Sequence, residues 1–192
     1  MGNNRKLQER GRGHHTWWQK SEDKRGKGVQ IDYMVVENSL GWLLVAATQQ
    51  GTCSVMLGDS ESDLLGELQQ KFPRARITRD EQKLKSQVEI LLACLAGRQP
   101  SLGSPLDEQG TPFQRRVWEE LRSIPRGTTI SYSELAKRID RPKAVRAVAS
   151  ACARNPVAII TPCHRVVRLN GDLGGYRWGL ERKRRLLAAE QA

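Results

Sequence analysis

The chain has 192 residues, 38% of them hydrophobic, and a formal net charge of +11. This length suffices for one large domain or two small ones with real cores, and the composition is that of an ordinary soluble globular protein. The sequence has no apolar run near about twenty residues and no secretion signal, so we expect no membrane contact and a cytoplasmic location, nucleoid-associated, or nuclear if the cell is eukaryotic. The cysteines Cys53, Cys94, Cys152 and Cys163 lie far apart, which predicts free thiols in a reducing compartment.

The positive charge is unevenly distributed along the chain. Residues 1–28 carry eight Lys/Arg against three Asp/Glu, residues 29–103 carry seven against nine, and residues 104–192 carry seventeen against nine. A basic folded half indicates a polyanion partner such as nucleic acid, although charge alone suits simple solubility equally well.

The first hundred residues divide into a tail and a small domain. Residues 1–28 are basic and nearly free of aliphatic side chains, which predicts a disordered tail. Residues 29–103 contain strand-like runs at 31–36, 42–48 and 52–57, which predict an antiparallel meander. A helix capped by Ser60 or Ser62 and a second helix at 80–96 complete a predicted α/β domain without catalytic groups.

The remaining residues, 104–192, are expected to form a mainly helical domain after a linker at 98–111. Thr111-Pro112 is typical of a helix start, and Trp118 is interpreted as a core or interface residue. Two short helices follow at 131–139, capped by Ser131 or Ser133, and at 143–152. Such a pair resembles a helix-turn-helix.

Small side chains in the second helix permit close approach to a DNA groove, or equally close packing against another helix. Nearby basic residues favour DNA, and they are Lys137, Arg138, Arg141, Lys143, Arg146 and Arg154.

The organising motif is Thr-Pro-Cys-His-Arg-Val-Val at 161–167. The β-branched run at 157–160 before it predicts a buried strand or extended segment that Pro162 ends. A thiol reacts as a thiolate, so Cys163 needs a base or positive charge nearby, which His164 and Arg165 offer. The alternative is that Cys163 is only a small buried hydrophobic residue.

The C-terminal residues supply a predicted hairpin, a loop and a helix. Asn170-Gly171 between extended runs is a strong hairpin signal, and a glycine-punctuated loop follows at 174–179. The closing helix at 180–191 carries the basic run 182–185. We expect this run to be a solvated face, and it could also contact DNA phosphates.

These motifs together resemble a known family, from about Val29 to the end of the chain. The chain is similar to the 6-O-alkylguanine-DNA alkyltransferases, also called methylated-DNA–protein-cysteine methyltransferases, and within them to the methyltransferase half of bacterial adaptive-response proteins. The resemblance rests on Pro162-Cys163-His164-Arg165-Val166, Asn155-Pro156, Ser131-Tyr132, Arg146, Gly175-Tyr176-Arg177-Trp178-Gly179 and Glu190.

The resemblance implies direct-reversal DNA repair. The family transfers an alkyl group from 6-O-alkylguanine, and also from 4-O-methylthymine, irreversibly to its own cysteine. Cys163 is then the acceptor, and His164 activates it through a water while Glu190 orients the histidine. Tyr132 hydrogen-bonds the flipped base and donates a proton, and Asn155 braces the loop that bears Cys163.

The resemblance also implies how the base is reached. Arg146 replaces the flipped base in the duplex, and its helix occupies the minor groove. The implied DNA-binding residues are Arg146, Tyr132, Ala144, Val145, Ala147, Ser150, Ala151 and Arg154. The implied substrate pocket contains the backbones of Val166 and Arg177, which lie around the guanine edge, together with Ala158 and Trp178.

The family fold implies a ribonuclease-H-like α/β N-terminal domain, with a small antiparallel sheet plus helices, followed by a winged helix-turn-helix. We expect a monomer that binds double-stranded DNA containing 6-O-alkylguanine and uses no cofactor. Some members hold a structural zinc, but the required Cys/His set is not evident, so no metal is expected.

Two departures from the family pattern bear on the range of alkyl groups accepted. Thr161 stands where members usually carry Ile or Val, and Ala158 where some carry a proline that lines the alkyl pocket.

Three other functions compete with repair. A plain DNA-binding regulator leaves Cys163, His164 and Glu190 without a role, and a cysteine hydrolase leaves the helix-turn-helix without one. The third is a non-repairing relative that recognises alkylated bases.

Overall fold

The computed structural model describes residues 28–98, 103 and 105–191. The predicted tail therefore lies outside the described residues except for Gly28. The elements, in chain order, are β1 (Gln30–Asn38), β2 (Gly41–Thr48), β3 (Gly51–Gly58), α1 (Glu61–Lys71), β4 (Arg76–Arg79), α2 (Glu81–Leu95), α3 (Pro112–Arg122), β5 (Ile130–Ser131), α4 (Tyr132–Arg138), α5 (Val145–Ala153), a 3-10 turn (Cys163–Arg165), β6 (Val166–Val167) and α6 (Leu180–Gln191).

The first half is built on a four-stranded sheet of order β3-β2-β1-β4. The meander β1-β2-β3 is antiparallel, as predicted, but β4 runs parallel to β1, with Ile31 opposite Ile77. The sheet is therefore mixed, and the prediction of a purely antiparallel sheet was wrong. Strand β4 was missed because its four residues, Arg-Ile-Thr-Arg, show almost no hydrophobic pattern.

Both predicted helices of this half are present with side-chain caps. Ser60 accepts a hydrogen bond from the Asp63 amide at 3.1 Å, and Asp80 accepts one from the Lys83 amide at 2.9 Å. These caps satisfy amides that an α-helix leaves without an internal partner. Helix α1 covers one face of the sheet, and α2 packs on β1 and β2 within the hydrophobic cluster that also contains the second half.

The second half begins with α3, whose start matches the prediction. Thr111 and Gln114 form a capping box, and Trp118 is buried with its Nε1 donating to the Ala151 carbonyl at 2.9 Å. Ser131 caps α4 by accepting from the Glu134 amide at 3.0 Å. Helix α5 begins at Val145, two residues later than predicted.

Two predicted extended segments are absent from the described residues. Val157 forms only an isolated bridge to Val55, and the chain then turns, with Ile159 at a φ of 71°. Asn170-Gly171 does form a tight turn, but no strand follows it. Strand β6 pairs instead with β5 in parallel, with Val166 opposite Ile130. Both segments are short, and local sequence cannot show which distant strand they meet.

The segment predicted as a linker is attached to the sheet. The Thr52 amide donates to the Pro105 carbonyl, and the Asp107 amide donates to the Thr52 carbonyl, both at 2.9 Å. The two halves also share one hydrophobic cluster, in which residues of β2, β3 and α2 pack with residues of α3, α4, α5 and α6. Their cores are thus continuous.

The basic run in α6 is a solvated face only in part: Arg184 and Arg185 are exposed, as predicted, whereas Arg182 and Lys183 are not. Lys183 is fully buried. Arg182 donates to the carbonyls of Leu40 at 2.7 Å and Gly58 at 2.8 Å, and Arg185 donates to the Ser39 carbonyl at 2.6 Å. These arginines join α6 to the first half. None of the described helices has the length and apolar character needed to cross a membrane.

Candidate active site

Cys163 opens the 3-10 turn and is buried. Its Sγ accepts a hydrogen bond from Asn155 Nδ2 at 3.3 Å. The same Nδ2 donates to the Thr161 carbonyl at 2.7 Å, and Asn155 Oδ1 accepts from the Val157 amide at 3.0 Å. One buried amide side chain therefore braces both arms of the cysteine loop and contacts the sulfur itself.

Strand β3, at the edge of the sheet, supports the beginning of this loop. The Val55 amide donates to the Pro156 carbonyl at 3.0 Å, and the Ala158 amide donates to the Val55 carbonyl at 2.9 Å. The first half thus supplies backbone partners for the segment that leads to the thiol.

His164 and Glu190 form a hydrogen-bonded pair behind the cysteine. His164 Nε2 lies 2.7 Å from Glu190 Oε1, and Arg165 donates to both carboxylate oxygens at 2.8–3.1 Å. Burial acts to raise the pKa of Glu190, but the hydrogen bonds from His164 and Arg165 outweigh it and lower that pKa to about 2. Glu190 is therefore ionised at neutral pH.

The imidazole of His164 is neutral. Burial lowers its pKa below the ordinary value of 6.5, although Glu190 acts in the opposite direction. We assign the proton to Nε2, which faces the carboxylate. Nδ1 is then a free base, and it is a buried atom with no hydrogen-bond partner in the described part of the chain.

The resting Cys163 thiol is protonated. Burial raises its pKa to about 11, against the hydrogen bond from Asn155 and the positive charge of Lys183. No direct hydrogen bond joins Cys163 to His164 among the described residues. The site therefore pairs a thiol that needs a base with a free base on the next residue of the chain.

Cys163 opens onto a cavity of about 460 Å³. Its walls come from α4, α5, the segment after β6 and the glycine loop, and the lining residues are Tyr132, Val145, Ala149, Cys152, Ala153, Cys163, Arg168, Gly174, Gly175, Tyr176 and Arg177. Of the residues predicted for the pocket, Arg177 lies on this wall. Val166, Ala158 and Trp178 are buried nearby but do not line the cavity, because they pack into the shared core.

Tyr132 stands on the cavity wall at the first residue of α4. Burial raises the pKa of its phenol to about 12, with smaller contributions from Cys152 and Cys163. The hydroxyl consequently keeps its proton at neutral pH and can donate it to a group in the cavity.

Helix α5 presents a mixed face of small and basic residues. Arg146, Ala147, Ser150 and Arg154 are exposed. Val145 and the capping residue Ala144 are half-buried, and Val145 reaches the cavity. The remaining predicted residue, Ala151, is 2% exposed and faces α3, so it offers no surface to a partner.

Thr161 is buried in a polar cluster. Its hydroxyl donates to Glu108 Oε1 at 3.0 Å and accepts from Arg122 at 2.9 Å, and Arg122 also pairs with Glu108 at 2.8 Å. The side chain does not line the cavity. Thr161 therefore fastens the cysteine loop to α3 and to the segment before it.

Sequence reasoning missed several groups around the thiol. Lys183 Nζ donates to the Val166 carbonyl at 2.6 Å and to the Leu173 carbonyl, and burial lowers its pKa to about 8. Cys152 and Arg168 line the cavity. A lysine inside a run of four basic residues carries no sequence signal of burial. Small or charged residues that line a cavity likewise show no sequence pattern from which their position could be predicted.

Comparisons with known proteins identify the relatives of this chain. The family model described as 6-O-methylguanine DNA methyltransferase, DNA binding domain, matches residues 112–192. The chain is 48% identical over 165 residues to the Escherichia coli protein named bifunctional transcriptional activator/DNA repair enzyme Ada, covering 86% of this chain and 47% of that protein. It thus spans about half of that relative's length.

Two mycobacterial proteins match over nearly their whole length. The chain is 38% identical over 161 residues to a methylated-DNA–protein-cysteine methyltransferase of Mycolicibacterium paratuberculosis, covering 84% of this chain and 93% of that one. The crystal structure of Mycobacterium tuberculosis OGT in complex with DNA superposes with a TM-score of 0.72 at 37% identity, covering 83% of this chain and 92% of that one. The chain therefore belongs to the methylated-DNA–protein-cysteine methyltransferase family.

Proposed function

We propose that this protein repairs DNA by moving an alkyl group from 6-O-alkylguanine, and also from 4-O-methylthymine, to its own Cys163. The observation that carries the proposal is the position of the Cys163 thiol. It lies on the wall of a cavity with Tyr132, is braced by Asn155, and precedes the buried His164–Glu190 pair. Family membership and the DNA-bound mycobacterial structure support the same reaction.

In the proposed mechanism, a water carries the thiol proton to Nδ1 of His164. Nε2 keeps its own proton, and Glu190 stabilises the imidazolium that forms. The thiolate attacks the alkyl carbon in line with the bond to the guanine oxygen, so that the sulfur–carbon bond forms as the carbon–oxygen bond breaks.

The departing guanine is neutralised by a proton from Tyr132. His164 then returns its extra proton to the tyrosinate, so that both residues regain their starting protonation and the net change is one proton lost by the sulfur and one gained by guanine. The thioether is stable, and each molecule therefore reacts once without a metal or organic cofactor.

Access to the base requires its extrusion from the duplex. We propose that α5 enters the minor groove with its small exposed residues, Ala147 and Ser150, and that Arg146 occupies the place of the flipped base. Arg154 and Ala144, at the two ends of the helix, would contact the backbone. In this proposal Val166 and Trp178 support the cavity wall from behind.

We propose the following domains and oligomeric state for the protein. A ribonuclease-H-like domain at 29–103 and a winged helix-turn-helix domain at 104–192 would together act as a monomer on double-stranded DNA. The protein would work where chromosomal DNA is found, in the cytoplasm in association with the nucleoid, or in the nucleus if the cell is eukaryotic.

Mass spectrometry tests the proposal directly. The protein is mixed with a duplex that contains one 6-O-methylguanine, and intact masses and peptides are compared with those of Cys163→Ala. We expect one methyl group per molecule, confined to the Cys163 peptide, and none on the variant, which should still bind the duplex. A protein that binds the damaged duplex and stays unmethylated would instead be a non-repairing relative.

A further inference from the structure

Arg168 stands at the mouth of the cavity, and its guanidinium has no partner in the described part of the chain. It lines the cavity together with Cys163 and Tyr132, and its side chain is exposed. Within the described residues, no hydrogen bond or ion pair engages its guanidinium. The other arginine on the wall, Arg177, is ion-paired with Glu67 of α1. The mouth of the cavity therefore carries an unpaired positive charge at Arg168.

The backbone of Arg168 is held firmly although its head group is free. Its amide donates to the Asp172 carbonyl at 2.8 Å, and its carbonyl accepts from the Gly171 amide at 3.0 Å. Its Cγ lies 3.5 Å from the point that a Cβ would occupy on Gly174. The stem thus runs along the glycine loop, and this loop also holds Gly174 close to the ring of Tyr132.

The charge acts on the cavity as well as on the solvent. Arg168 opposes the rise in the pKa of Tyr132 that burial causes. The Arg168 Cγ and the Tyr132 ring both lie within 3.5 Å of the point that a Cβ would occupy on Gly174, so the Arg168 stem and the phenol are on the same side of the cavity. An anionic group brought to the mouth would meet Arg168 first.

We propose that Arg168 binds a phosphate of the same nucleotide whose base enters the cavity. A base seated against Cys163 and Tyr132 leaves its sugar and phosphates at the mouth, and a guanidinium fork fits two phosphate oxygens. Arg168 would thus select a nucleotide over a free base. This inference rests on the proposed function and adds a contact on the nucleotide itself, distinct from the helix that enters the groove.

The test compares Arg168→Gln and Arg168→Lys with a control of equal charge change, Arg184→Gln. Arg184 is exposed on α6, and its one partner among the described residues is Glu181, one turn earlier. Methyl transfer to Cys163 is timed with two substrates, a duplex containing 6-O-methylguanine and 6-O-methylguanine as a free base. We expect Arg168→Gln to slow transfer from the duplex about tenfold, Arg168→Lys to slow it less, and both to leave the free-base rate within about twofold.

A second duplex locates the contact. One phosphate beside the modified nucleotide is replaced by an uncharged methylphosphonate, first on its 5′ side and then on its 3′ side. One of these replacements should slow the unmodified protein about as much as Arg168→Gln does, and should not slow Arg168→Gln further.

If Arg168→Gln slowed transfer from the duplex and from the free base equally, the inference would be overturned. That result would show that Arg168 maintains the structure of the cavity and does not bind a phosphate. Additive effects of the methylphosphonate and Arg168→Gln would also overturn it. Failure of the proposed function looks different, because the unmodified protein would then gain no methyl group from either substrate.

Discussion

The carboxylate of Glu190 lies 2.7 Å from Nε2 of His164, although 26 positions separate the two residues in the chain. Arg165 shares the same carboxylate, so the negative charge is held by two neighbours of Cys163. This contact fixes the ring orientation and leaves Nδ1 as the only basic atom of the imidazole.

Glu190→Gln should slow methyl transfer by on the order of 100-fold, because an amide stabilises the imidazolium poorly and does not fix its tautomer. Affinity for undamaged duplex should not change, since the Glu190 side chain is only 9% exposed and is engaged by His164 and Arg165. Single-turnover transfer and duplex titration measure the two quantities. Glu181→Gln, on the exposed surface of the same helix, is the control. A variant that reacts at the normal rate would remove Glu190 from the mechanism.

The rate of transfer should depend on pH through His164. Its pKa is lowered by burial, so the imidazole is a competent base at neutral pH and becomes protonated only below pH 6.5. We expect the transfer rate to be constant near neutral pH. In the acid range the rate should decrease, approaching about tenfold for each pH unit. His164→Gln should lose this acid limb. Timing the reaction with the free base separates this effect from the pH dependence of DNA binding, and an unchanged acid limb in the variant would refute the assignment.

Glu190 should also contribute to acid sensitivity of the fold. Its folded pKa of about 2 is below its ordinary value of 4.5, so its stabilisation is complete above pH 4.5 and disappears as pH falls toward 2. The Tm difference between the unmodified protein and Glu190→Gln should therefore shrink steadily between those pH values. Glu181→Gln should follow the unmodified protein throughout. A constant difference for Glu190→Gln would contradict the depressed pKa.

Arg146→Ala should impair repair in duplex DNA far more than reaction with the free base. The side chain is exposed on α5, and no hydrogen bond or ion pair holds it among the described residues. An inserted arginine offsets part of the unstacking cost of a few kcal/mol, so its loss should slow duplex repair by about tenfold or more. Arg184→Ala serves as the charge control. Similar losses on both substrates would argue against a role in base extrusion.

Thr161→Val should destabilise the protein by about 1–3 kcal/mol, because Glu108 and Arg122 each lose a buried hydrogen bond. Denaturant unfolding measures the change, and Thr129→Val at an exposed position is the control. Because Thr161 does not line the cavity, the ratio of rates for methyl and benzyl groups on guanine should stay constant. A shift in that ratio would place Thr161 among the specificity determinants.

The local elements could be predicted from sequence because local rules determine them. Caps at Asp80 and Thr111 and the apolar stripes of α2 and α3 mark those helices without reference to the rest of the chain. Strand β4 could not be predicted, since pairing with β1 and not hydrophobic pattern makes it a strand. The Asn170-Gly171 signal was equally misleading, because a tight turn needs a second strand to become a hairpin.

In the active site, too, some residues could be predicted from the sequence and others could not. The motif at 161–167 and the resemblance indicated Cys163, His164 and Glu190, and the cavity contains Tyr132 as expected. Lys183 and Arg168 could not be recognised, because their environments are created by contacts with distant segments. Val166, Ala158 and Trp178 are absent from the cavity lining, and their contacts with the substrate stay a prediction. Their side chains turn into the core.

The two backbone hydrogen bonds between Val55 and the approach to Cys163 make the first half a structural partner of the chemistry. The match to the family model begins at residue 112. A fragment that begins there would lose strand β3, whose backbone is hydrogen-bonded to the loop that leads to Cys163. It would also expose the apolar surface that β2, β3 and α2 now cover. The region that the family model matches is therefore smaller than the region whose core and backbone contacts hold the nucleophile in place.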